Sequence, residues 1–75
     1  DKRYLGLILS DMGECARRLK RPSEAKAFFT KAYPLLRSQS PRDVNVLLGR
    51  WAMTFLDERD FTEAAILLEK QVESA

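Results

Sequence analysis

The sequence contains no histidine. With it go the commonest general base, the serine-type triad and most zinc sites, so neither catalysis nor a bound metal or cofactor is expected. A single cysteine, Cys15, excludes an internal disulfide and points to a reducing, cytoplasmic setting. With only Arg18, three residues on, as a basic neighbour, Cys15 is expected to be a buried, inert thiol. Long apolar runs are also missing. The longest, Tyr4–Leu9, has six residues and includes Gly6, whereas a membrane span needs about 20. The same run is too short for a signal peptide behind Asp1-Lys2-Arg3. A chain that opens without Met is expected to be a piece of something longer. There is no β-branched alternation and no Asn-Gly or Asp-Gly turn, which leaves an all-α domain.

Apolar residues do recur at three- and four-residue intervals. Over residues 3–20 the set is Tyr4, Leu5, Leu7, Ile8, Leu9, Met12, Cys15, Ala16 and Leu19, the pattern of an amphipathic helix. Lys20-Arg21 and then Pro22 close it, and Ser23 is the expected N-cap of a second helix with Glu24 in its first turn. That helix carries Ala25, Ala27, Phe28, Phe29, Ala32, Tyr33, Leu35 and Leu36; Pro34 within it predicts a kink, or an end near Tyr33. Ser40-Pro41 with Asp43 reads as N-cap, proline at the first helical position and an acid in the first turn. The third helix carries Val44, Val46, Leu47, Leu48, Trp51, Ala52, Phe55 and Leu56. After the polar break 57–60, Asp60 or Thr62 caps a fourth helix bearing Phe61, Ala64, Ala65, Leu67, Leu68 and Val72. The helix pairs thus cover about 3–37 and 41–74 of one domain, 1–75. Trp51 is expected between helices.

Sliding the chain on itself by 39 residues aligns Leu9 with Leu48, Gly13 with Ala52, Glu24 with Glu63, Ala25 with Ala64, Phe29 with Leu68 and Lys31 with Lys70. In each copy a large residue is followed three later by a second large one, then by a small one, with an alanine twelve beyond. The first copy reads Leu9, Met12, Gly13, Ala25, Phe29, Ala32. The second reads Leu48, Trp51, Ala52, Ala64, Leu68, with Phe55 as the first-helix aromatic. This arrangement resembles the tetratricopeptide repeat, and the resemblance covers residues 6–75. It departs from the family at Ala16, where an aromatic is usual, at Gln71, where a small residue is usual, and at Arg37, where the closing proline falls. The offset also exceeds the family's 34 residues. The resemblance implies two antiparallel helix pairs stacked as a short right-handed solenoid, with a small residue admitting the facing helix at each close approach.

It also implies a groove lined by the first helix of each pair: Leu7, Ser10, Glu14, Arg17 and Arg18, then Val46, Gly49, Arg50, Met53 and Leu56. Leu, Val and Met beside Arg suit a peptide or helix of another protein, so a protein-binding scaffold or adaptor is expected. The alternative for Leu7, Val46, Met53 and Leu56 is that they belong to the core or face a further repeat. Ser10 and Glu14 occupy positions where carboxylate-clamp members carry Lys and Asn, and only Arg50 fits such a clamp. Arg17, Arg18, Lys20 and Arg21 raise a second possibility, a helix-turn-helix on nucleic acid, against which the acidic second half counts. Residues 1–42 hold ten Lys/Arg and four Asp/Glu, a net of +6; residues 43–75 hold three and seven, a net of −4. That polarity, together with two repeats where solenoids usually need more, suits end-to-end pairing into a homo-oligomer.

Overall fold

A computed structural model describes residues 1–74, with the side chain of Ser74 and the whole of Ala75 outside the description. It is all-helical: α1 (Lys2–Arg18), α2 (Pro22–Arg37), α3 (Pro41–Asp57) and α4 (Phe61–Ser74), with no strand among the described residues. Among the described residues no helix is long and apolar enough to cross a membrane.

Local chemistry sets the helix ends. Asp1 caps α1 by accepting from the Arg3 N–H at 2.8 Å, and Ser40 caps α3 by accepting from Asp43 N–H at 3.4 Å. Asp60 accepts from Glu63 N–H at 3.3 Å at the head of α4. The second helix departs from expectation. It starts two residues earlier, with Pro22 as its first residue and Ser23 inside its first turn, and Arg21 takes the cap position without a side-chain bond. A proline at the first helical position has its φ already set and lacks an N–H that would have no partner. Nor does α2 end at Tyr33; it runs through Pro34 to Arg37. Pro34 faces solvent, and Leu36 beyond it is fully buried, which holds the last turn in place despite the lost backbone bond.

The two short turns are built alike. After α1 the Lys20 N–H donates to Arg17 O (3.0 Å) and the Arg21 N–H to Ala16 O (2.9 Å). After α3 the Arg59 N–H donates to Leu56 O (3.0 Å) and the Asp60 N–H to Phe55 O (2.8 Å). Both are Schellman closures, and each puts a residue in the left-handed region, Lys20 at φ 62° and Arg59 at φ 60°. All four bonds correspond at a spacing of 39.

α1 packs on α2, α3 on α4, and α2 on α3, while α1 touches α3 more lightly. Phe29 joins three of the helices. Fully buried, it lies where a Cβ on Gly13 of α1 would come within 2.7 Å of its Cδ1, and its ring sits 6.3 Å from that of Trp51 on α3. Tyr33 adds an edge contact to Trp51 at 6.2 Å. Gly6 receives Leu36 in the same way. Gly13, Ala25, Ala52 and Ala64 are all buried, and Ala32, Leu47 and Leu48 complete the centre.

Several residues read as core are on the surface. Tyr4, Leu5, Ile8, Met12 and Leu19 form an exposed apolar stripe along α1, and Phe61, Leu68 and Val72 are exposed on α4. Cys15 is exposed within the α1 stripe, not buried. A helix with apolar residues around most of its circumference leaves one side uncovered when only one neighbour packs firmly on it.

Candidate interaction surface

The groove positions lie on α1 and α3, and a ladder of ion pairs links these two helices. Arg3 Nε donates to Asp43 Oδ2 at 3.0 Å. Arg50 Nη1 donates to Ser10 Oγ at 2.9 Å and to Asp11 Oδ1 at 2.8 Å. Arg17 Nη1 donates to Asp57 Oδ2 at 3.0 Å. The partners are 39 or 40 residues apart and advance together along the chain, so α1 and α3 run side by side in one direction. Opposite charges spaced by the repeat length or one residue more were the available sequence signal for Asp11, Asp43 and Asp57, which the groove reading omitted.

Arg17 is the most engaged of these residues. Its Nε and Nη2 hold both carboxylate oxygens of Glu14 at 2.8 and 2.9 Å, and Arg18 Nε adds a third bond to Glu14 at 3.2 Å. The Arg17 hydrogen bonds hold the Glu14 carboxyl below its ordinary value near 4.5, with partial burial opposing them. Arg17 is shifted upward, chiefly by Glu14 and then by Asp57, again against burial.

The remaining groove residues divide by exposure. Ser10 is only 2% exposed and is used up by Arg50, so it is closed to a partner. Gly49 serves α4: a Cβ there would meet Gln71 Nε2 at 2.9 Å, and that nitrogen donates to Asn45 O at 2.8 Å. Gln71 therefore fills the space that a small residue occupies in the resembled pattern. Leu7 and Leu56 are half-buried, Leu7 against the core. Val46 and Met53, seven apart on α3, stay exposed, as does the Arg18 side chain. The surface presented by α1 and α3 thus consists of two apolar side chains beside a charged and internally paired rim.

The basic cluster does not form a free cationic face. Arg17 and Arg18 share Glu14, Arg21 lies 3.9 Å from Glu24, and Asp57 and Glu58 line the same depression as Arg17, Arg18 and Lys20. Among the described residues no group of side chains is arranged to hold a metal ion. No family model matches the chain, and comparison with curated proteins and with solved structures finds no similar one.

Proposed function

We propose that the chain is a non-enzymatic scaffold of the tetratricopeptide type: two antiparallel helix pairs stacked as a short right-handed solenoid, binding a peptide or helix of another protein along α1 and α3. The observation that carries this reading is the ion-pair ladder. It links α1 and α3 in parallel at three points and leaves Val46 and Met53 uncovered beside it. Preorganised backbone with exposed apolar anchors is what peptide recognition requires, since little ordering remains to be done on binding. The duplicated turns and the buried Gly13, Ala25, Ala52 and Ala64 support the repeat reading. Against catalysis, the two groups displaced from their ordinary values are ion-paired with each other and pushed further into their charged forms, the opposite of a base tuned to neutral pH.

Selection from a displayed library of random peptides tests the proposal. Ligands should be recovered whose binding falls about tenfold or more with Met53→Asp or Val46→Asp while helicity by circular dichroism is unchanged. Ligands indifferent to both substitutions would refute the groove. The nucleic-acid reading has the engagement of Arg17 by Glu14 and Asp57 and of Arg18 by Glu14 against it, because phosphate binding needs cations in register that are not already neutralised.

A further inference from the structure

The contact between α2 and α3 is a template, and its two halves recur at opposite ends of the molecule, uncovered except at the buried Ala16. Across that contact Phe29 and Tyr33 of α2 meet Trp51 of α3. Lys26 of α2 lies 5.0 Å from the Phe55 ring centroid and donates to Glu58 Oε1 at 2.8 Å. Shifted back by 39 residues, Trp51, Phe55 and Glu58 become Met12, Ala16 and Leu19 of the α1 end. Shifted forward by 39, Lys26, Phe29 and Tyr33 become Ala65, Leu68 and Val72 of α4. The first trio lines a shallow apolar depression and the second trio lines another. Each contact of the template turns into an apolar one: Phe29 and Tyr33 on Trp51 become Leu68 and Val72 on Met12, and Lys26 with Phe55 and Glu58 becomes Ala65 with Ala16 and Leu19. The one ion pair is replaced on both sides at once, which leaves no charge stranded.

We propose that α4 of one copy docks on α1 of a second copy as α2 docks on α3 within the chain, giving a head-to-tail assembly. The proposal does not depend on the groove. Three observations select a second copy as the occupant. The new contact continues an interface that the chain already makes internally. The exposed residues are the counterparts of covered ones: Leu5 and Ile8 stand where α3 has Val44 and Leu47, both buried. The half carrying α1 has a net charge of +6 and the half carrying α4 has −4, which attracts the two ends at long range; close to the contact the rims are acidic on both sides, Asp11 and Glu24 at the α1 depression and Glu69 and Glu73 at the α4 depression. The two faces differ, so the contact is heterologous and need not close. Each added copy offers the same free α4 face as the last, and growth is open.

Sedimentation velocity and light scattering over a concentration series of the 75-residue chain read this directly. The average mass should rise with concentration past that of a dimer without a plateau. Met12→Glu should remove the acceptor face and Val72→Glu the docking face, each weakening self-association about tenfold or more by placing an unpaired carboxylate in an apolar contact. Met12 and Val72 are 44% and 74% exposed, so both variants should keep their helicity. Mixed in equal amounts, the two variants should form a one-to-one dimer and nothing larger, because each retains the face that the other has lost. Leu19→Glu with Ala65→Glu repeats the complementation at independent positions should either first variant unfold. As a second readout, alkylation of the exposed Cys15 in the α1 depression should slow as the wild-type concentration rises. A chain that stays monomeric up to its solubility limit overturns the proposal. So does a dimer plateau that survives Val72→Glu, which would mean symmetric pairing through α1, and so does a mixture of folded variants that fails to pair.

Discussion

Replacing Gly13 with alanine sets two effects of similar size against each other, and the structure decides the sign. In a helix interior the exchange ordinarily stabilises by about 0.8–1 kcal/mol, because glycine gives up more backbone freedom on folding. At Gly13 the new methyl would sit within 3 Å of Phe29 Cδ1 and Cζ. That ring is fully buried and backed by Trp51, so it cannot retreat without disturbing α3. Overpacking of this kind costs about 1–3 kcal/mol, leaving Gly13→Ala destabilised by about 1 kcal/mol. Gly49 supplies the control. There the only close atoms belong to the end of the flexible Gln71 side chain, which can swing toward water, so Gly49→Ala should gain about 0.5 kcal/mol. At about 4–8 °C per kcal/mol for a chain of this size, the two variants should melt roughly 6–12 °C apart. Urea and thermal unfolding followed by circular dichroism, at protein concentrations low enough to suppress association, give both values. If Gly13→Ala is stabilised as much as Gly49→Ala, the close approach of α1 to Phe29 is not real and the core described above is misplaced.

The depressed Glu14 carboxyl makes stability depend on acid. A group whose pKa is lower in the folded chain contributes above its unfolded value, near 4.5, and that contribution disappears as pH falls through the folded value. Urea midpoints measured from neutrality down to acid should therefore drop more steeply below about pH 4.5 in the wild type than in Glu14→Gln; identical slopes would dissociate Glu14 from Arg17. Lys20→Gly and Arg59→Gly should each stabilise by about 0.5–1 kcal/mol, since both positions hold positive φ that favours glycine, and unequal effects would show that the two turns are not equivalent. Phe29→Ala should cost about 3–5 kcal/mol, about half of the roughly 4–11 kcal/mol available to 75 residues, so its urea midpoint should fall by about half relative to the wild type; an unchanged midpoint would show that Phe29 is not central to the core.

Helix number and positions were legible because apolar spacing and caps agreed: Ser40-Pro41-Asp43 and Asp60 bound to the backbone where their chemistry placed them. Pro22 misled because proline ends one helix and begins the next equally well, and Ser23 behind it offered a cap that was not used. Apolar periodicity also overstated burial. It marks which side chains avoid water, but Met12, Cys15, Leu19, Leu68 and Val72 have no partner within the described residues to cover them. The positions assigned to a groove divide. Val46 and Met53 are exposed, whereas Ser10 and Gly49 are occupied by Arg50 and Gln71, contacts set by how whole helices approach one another and invisible one helix at a time.

The attachment of α4 has a mechanical corollary. α4 rests on α3 and reaches α2 through Lys70, whose Nζ lies 5.8 Å from the Tyr33 ring centroid. α2, by contrast, is clamped from both sides through Phe29. Tension applied at the carboxyl end should therefore peel α4 away first, at low force, while the bolt formed by Gly13, Phe29 and Trp51 still holds the other three helices.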